Sequence, residues 1–188
     1  VKESAPLRED SFWVQLRRWF SSEVKVLWAL FILALFIRII YAFFVLRDPL
    51  LMTPLHDAKY YLLWAQDIVR MGWLGEKVFF TEPFYAYFLA FFLKFFGNTS
   101  TVYVLMFQWF SGASLAVGMY LVTKKVFTRQ AGIFAGILTA LYAPFVFYEG
   151  LLLKTSIEVV LLPWFLLLFF LAFQRKTRTH FLYLGLFL

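Results

Sequence analysis

The sequence predicts an all-α, polytopic membrane bundle with four full spans, the start of a fifth, and two short surface-lying helices in the first outer loop. Three observations predict it. The 188 residues are 63% hydrophobic and only 15% charged, with a mean hydropathy of +0.77, whereas soluble domains are about half apolar. Several apolar runs reach the roughly 20 residues that a helix needs to cross a bilayer. The charged residues cluster between those runs.

Residues 1–25 form a mixed-charge arm, read as cytoplasmic. Within it Phe12, Trp13, Leu16, Trp19 and Phe20 recur at helical spacing around Arg17 and Arg18. That pattern suits a short interfacial helix against anionic lipid, with a partly ordered arm as the alternative. The membrane domain follows at 26–188, and its first span covers about 26–46. This run is longer than the roughly 7–15 apolar residues of a signal peptide, and no small-residue cleavage site follows Leu46, so it is read as retained. An outer loop occupies 47–101, and further spans cover about 102–122, 131–148 and 151–173. The run 181–188 is apolar but too short to cross. Together with a first residue that is Val1 rather than Met, it suggests a piece of a longer chain.

The segment Pro83–Phe96 decides the topology. As a helix of about 14 residues it reaches about 21 Å, short of the roughly 30 Å hydrocarbon core. If it lies on the surface, the arm, Lys124–Arg129 and Arg175–His180 all face the cytoplasm. If it crosses, both later basic loops face outside, against the bias of Lys and Arg toward cytoplasmic loops. The surface placement puts Asp57 and the turn Tyr148-Glu149-Gly150 on one outer face, with Lys154 just inside it. The same placement explains the net charge of +7 without nucleic acid. There is no cysteine, hence no disulfide and no thiolate site.

Asp57 opens an amphipathic stretch in which Tyr61, Trp64, Ala65, Ile68 and Met71 make an apolar stripe, with Gly72 as a stop. A carboxylate in a first helical turn is favoured by unpaired N–H groups and the helix dipole, so the plain alternative for Asp57 is a helix cap. Thr81-Glu82-Pro83 opens the second short helix, whose Phe84, Tyr85, Tyr87, Phe88, Phe91 and Phe92 suit the membrane boundary. Glu149 stands at the outer end of a span, either as a second acidic site residue or as a loop carboxylate paired with Lys154. Arg38 and Glu158 lie inside spans, where a charge costs at least about 2.5–3.5 kcal/mol and usually finds a partner in the bundle. Both are expected about 10–12 Å deep, and they are predicted to pair with each other; contact of Arg38 with a lipid phosphate is the alternative. His56 beside Asp57 is read as a loop residue. No His-based or carboxylate-dense metal signature is present, and a divalent metal is neither required nor excluded.

The order of motifs carries a resemblance. A span is followed by Asp57-Ala58-x-Tyr60-Tyr61-x-x-Trp64-Ala65 and Gly72-Trp73-Leu74-Gly75. Then come Val78-Phe79-Phe80-x-x-Pro83-Phe84-Tyr85-x-Tyr87, Phe95-Phe96-Gly97 and Tyr148-Glu149-Gly150. From Trp28 to Phe173 this resembles the start of the C-type integral-membrane glycosyltransferases, the group of protein O-mannosyltransferases and aminoarabinose transferases. Members often carry Asp-Glu at the first-loop site, where this chain has Asp57-Ala58.

The resemblance implies transfer of a sugar from a polyprenyl-phosphate carrier to an acceptor hydroxyl at the outer face of a prokaryotic plasma membrane. It implies Asp57 as the general base, with Glu149 as a further acidic residue near the substrate. A cation would stabilise the leaving lipid phosphate. Lys154, Lys59 and Arg47 are candidates by position, with Tyr60 and Tyr61 as candidate substrate contacts. Membrane lipid and the lipid-linked donor are the expected partners, and no cofactor is assigned. Two rival readings are a transporter or lipid-handling protein built on Arg38 and Glu158, and a non-catalytic scaffold subunit. Transporters place their sites near the midplane, whereas the polar residues here concentrate in an outer loop, which favours the enzyme.

Overall fold

The computed structural model describes residues 12–49, 52–72, 81–175 and 185, with side chains throughout except at 12–21, 98 and 175. The arm before Phe12, the motifs within 73–80, and the segments after Arg175 other than Gly185 lie outside the described residues. All regular structure among the described residues is helical: α1 (Phe12–Val45), α2 (His56–Met71), α3 (Phe84–Phe96), a 3-10 turn (Gly97–Thr99), α4 (Ser100–Val126), α5 (Arg129–Leu141), α6 (Ala143–Glu149) and α7 (Lys154–Arg175). The chain is a polytopic helical membrane bundle. Three helical stretches are long and apolar enough to cross a bilayer, Ser22–Val45, Ser100–Val126 and Lys154–Gln174, and the bent pair α5–α6 makes a fourth if it is one span.

No Pro or Gly interrupts Phe12–Val45, so the expected separate interfacial helix is continuous with the first span in one helix of 34 residues. Beyond Val45 the chain turns through Arg47-Asp48-Pro49 and enters α2. Ala58, Tyr61, Ala65 and Ile68 form the buried stripe of α2, while Met71 at its end is exposed. Gly72 ends the helix at φ +102°, a conformation natural to glycine, and its N–H donates to the Ile68 carbonyl at 3.1 Å. α3 has 13 residues, about 20 Å of helix, and is too short to cross. It buries Tyr85, Ala86, Leu89 and Ala90, and its rings continue onto α4, with Phe88 5.3 Å from Phe107 and Phe96 stacked 4.0 Å from Tyr103.

α4 is the central post, packed against α1, α3, α5, α6 and α7. Apolar side chains gain little by leaving lipid for each other, so close helix contact in a membrane relies on small residues. Here a Cβ on Gly132 would stand 2.8 Å from the Tyr120 carbonyl, and one on Gly136 would stand 2.8 Å from Leu30 Cδ1. α5 therefore nests against α4 and α1 with backbone near backbone.

The expected span 131–148 is not straight. It breaks at Tyr142 into α5 and α6, bent by 50°, and Pro144 sits in the first turn of α6. Proline lacks an N–H and crowds the preceding turn, so an uninterrupted helix through this point is disfavoured. The next span starts at Lys154 rather than Leu151. Leu151 instead lies in a turn whose carbonyls are held by a side chain of α4, described below.

At the end of the bundle where α4 meets α5, the buried Glu23 of α1 ties three partners together. Its Oε2 accepts from the Tyr120 hydroxyl at 2.5 Å and lies 2.7 Å from Lys124 Nζ, while Arg129 Nε donates to Oε1 at 2.9 Å. Thr128 caps α5 through its hydroxyl, which accepts from the Ala131 N–H at 3.2 Å. Glu23→Ala is expected to lower stability by about 1–3 kcal/mol, because hydrogen bonds to a charged group go unreplaced. Thermal unfolding in detergent reads this out; an unchanged midpoint contradicts the role.

Candidate functional site

A cavity of about 390 Å³ lies between the segment Met52–Ala58, Thr101 and Leu105 of α4, and the turn Gly150–Leu153. Among the described residues lining it, Asp57 is the only acidic one. Asp57 is exposed and stands in the first turn of α2, whose N-cap is Leu55 and makes no side-chain capping bond. The residue before it, His56, has φ +46°, left-handed backbone that costs a non-glycine residue about 1–2 kcal/mol. The start of α2, and Asp57 with it, is thus held in a strained bend over a largely apolar hollow.

The wall opposite Asp57 is fixed from within the bundle. Arg38 of α1 is fully buried; its Nε donates to Glu149 Oε2 at 2.6 Å, its Nη2 to Oε1 at 2.7 Å, and its Nη1 to the Ala34 carbonyl at 3.1 Å. The carboxylate of Glu149 rests on Gly112, where a Cβ would come within 2.2 Å of Cδ. Gln108 sits beside it. Its Nε2 donates to the carbonyls of Glu149 at 2.9 Å and Leu151 at 2.8 Å, and its Oε1 accepts from the Tyr85 hydroxyl at 2.8 Å. Burial pushes the Tyr85 hydroxyl well above the usual phenol range, so it remains a donor. One connected polar network therefore joins α1, α3, α4 and the turn that walls the cavity.

This network corrects the expected pairing of Arg38 with Glu158. Because α7 begins at Lys154, Glu158 lies only one turn into it; its side chain is 57% exposed and faces Lys154 at 3.7 Å. The bend before α6 carries Glu149 inward instead, and it meets Arg38. The alternative pairing of Glu149 with Lys154 does not occur either: Lys154 Nζ donates to Glu82 Oε2 at 2.6 Å.

The other expected site residues are dispersed. Lys59 and Tyr60 are on the exposed side of α2, and Tyr60 lies 5.7 Å from Tyr61 and 5.9 Å from Trp64, ring to ring. Tyr61 is buried in the core, edge-on to Tyr85 at 5.2 Å. Arg47 is exposed, its guanidinium 3.6 Å above the Phe43 ring. Among the described residues no group of three or more His, Asp or Glu side chains is gathered. Gln108, Gly112 and Glu82 were not singled out from the sequence as site residues. A polar residue in the second apolar run was the signal for Gln108.

Two outcomes follow from this arrangement. Glu149→Ala or Arg38→Ala leaves a buried charge without its partner and is expected to cost about 3–5 kcal/mol, whereas the paired replacement Arg38→Met with Glu149→Leu recovers much of that. Unfolding of the three variants checks it; a double variant as unstable as the singles contradicts it. At the surface, the hydrogen bond from Lys154 holds the Glu82 carboxyl below its usual range. A carboxylate with a lowered pKa contributes above its unfolded value and loses that contribution as pH falls through the lowered one. Wild-type and Glu82→Gln proteins should therefore converge in stability on acidification below the ordinary glutamate range. A gap that widens at low pH contradicts the bridge.

No curated protein and no solved structure gives a significant match to the chain. The dolichyl-phosphate-mannose-protein mannosyltransferase family matches residues 81–188, which take in α3 to α7 and hence Tyr85, Gln108, Glu149 and Lys154 but not Asp57. With more than half of the sequence matched, the chain belongs to the dolichyl-phosphate-mannose-protein mannosyltransferase family of membrane glycosyltransferases.

Proposed function

We propose that the chain moves a sugar from a polyprenyl-phosphate carrier to an acceptor hydroxyl, with Asp57 as the general base. The observation that carries this reading is the position of Asp57 as the one acidic group among the described residues on the rim of the cavity. The acceptor oxygen attacks the anomeric carbon while its proton passes to the Asp57 carboxylate, and the bond from that carbon to the lipid phosphate breaks. The apolar lining from Met52, Leu55 and Leu151–Leu153 suits a site that keeps water from competing with the acceptor. Developing charge on the phosphate calls for a cation. Lys154 follows directly on the wall residue Leu153, and Lys59 and Arg47 are the alternatives. Glu149, saturated by Arg38, is assigned to holding the wall rather than to proton transfer.

The orientation proposed has the N-terminus in the cytoplasm and the cavity on the outer face of a prokaryotic plasma membrane. The bias of Lys and Arg toward cytoplasmic loops supports it, since Lys124, Lys125 and Arg129 share the end opposite the cavity. The bent pair α5–α6 favours a second reading, a transporter, because broken helices line transport sites. Against that, the buried charges nearest the break neutralise each other.

Sugar transfer by the protein carrying Asp57→Asn separates these readings. Loss of about 10²–10⁴-fold in kcat is expected for removal of a general base, with Asp57→Glu retaining part of the rate. Full activity in Asp57→Asn removes the assignment, and unchanged solute flux in that variant favours transport.

A further inference from the structure

A second cavity, of about 580 Å³, opens between α4 and α7 at the end of the bundle away from Asp57. Leu105 and Lys125 are separated by about 30 Å along α4, so the two cavities are unconnected. The helices touch where a Cβ on Gly118 would meet Pro163 Cγ at 2.9 Å, and below that contact they part. Leu121 on α4 and Trp164, Leu167 and Leu171 on α7 line the cleft, and Lys124 and Lys125 close its mouth. From Trp164 to Leu171 the apolar wall runs about 10 Å, enough for the upper part of one acyl chain.

The mouth is cationic. The described side chains at this end include Lys25, Lys124, Lys125 and Arg129 and a single carboxylate, Glu23, which lies against Lys124 and Arg129, so positive charge is in surplus. Lys124 lies against Glu23 at 2.7 Å and Lys125 donates to Gln174 Oε1 at 2.9 Å. An ammonium has three donor hydrogens, so Lys125 can also take a phosphate oxygen, with the charge of Lys124 beside it.

We propose that this cleft binds an anionic phospholipid, with one acyl chain along the Trp164–Leu171 wall and the headgroup phosphate at Lys124 and Lys125. Basic pockets between membrane helices recognise such headgroups, and each surface Lys adds attraction on the scale of about 1 kcal/mol, or about fivefold. A zwitterionic lipid offers the same chain with no net charge for the lysines, so the site discriminates by headgroup.

Trp164 is a built-in reporter. The full chain is placed in phosphatidylcholine nanodiscs doped with brominated phosphatidylglycerol or with brominated phosphatidylcholine, and tryptophan quenching is titrated. The expected result is stronger quenching by the anionic lipid, with the excess lost in Trp164→Phe and weakened by more than about fivefold in Lys125→Glu, which removes one positive charge and adds a negative one. Leu167→Phe, which narrows the cleft and leaves both lysines, should reduce the excess as well. Equal quenching by both lipids identifies a plain lipid-facing surface and overturns the proposal. Absence of quenching at Trp164 by either, read as the difference between wild type and Trp164→Phe, means another protein segment covers the cleft, and it overturns the proposal too, as does Lys125→Glu without effect.

Discussion

The bidentate contact between Arg38 and Glu149 is the constraint around which the rest of the bundle is arranged. A guanidinium and a carboxylate out of water are tolerable only when they meet in good geometry and their remaining hydrogen-bonding positions are occupied. That demand reaches outward. Gly112 must lack a side chain so that the carboxylate can lie on α4, α6 must swing inward to deliver Glu149, and Ala34 must offer its carbonyl to the third nitrogen. The break at Tyr142 is therefore coupled to the pair, since a straight helix through this segment would aim Glu149 elsewhere.

Gln108 extends the same logic from the pair to the cavity. An amide in an apolar bundle has to place its donors and its acceptor, and this one spends them on the Glu149 and Leu151 carbonyls and on Tyr85. The turn Gly150–Leu153 is thereby fixed without regular helix of its own, and α3 is pinned to α4 through a single hydroxyl. The short outer helices thus rest on a buried polar floor, while the remaining contact of α2 and α3 is aromatic and apolar. α1 is tied near both ends of its span, by Arg38 toward the cavity and by Glu23 toward the basic end. Between and around these ties it presents Trp28, Ile32, Phe36, Ile39 and Phe43, all exposed at helical spacing.

Family membership and the site reading rest on different parts of the chain. The matched residues hold the floor and wall, so the segment that shows the family is the one that supports the cavity. Asp57 lies on α2, before the matched segment, and its claim comes from where α2 is set down on that floor. The matched segment and α2 meet at the cavity, one supplying its frame and the other the one carboxylate among its described lining residues.

Long apolar runs separated by charged segments determined the helical membrane class by themselves, because a helix that crosses lipid must satisfy its backbone internally and show apolar side chains for about 20 residues. The short length of α3, the stop at Gly72 and the buried stripe of α2 were legible for the same reason: each depends on local spacing or on one residue's backbone preference. The partner of Arg38 was not legible. Depth along a span can be counted from the sequence, but the side to which a charge points depends on where each helix starts and bends, and here α7 starts three residues later than its apolar run while α5–α6 breaks at Tyr142. Only the tertiary structure decided that Glu149 goes inward, that Glu158 stays with Lys154, and that Tyr61 belongs to the core. Those outcomes rest on contacts between residues far apart in sequence, such as the 111 positions between Arg38 and Glu149, and no local pattern encodes which of two carboxylates a buried guanidinium will meet.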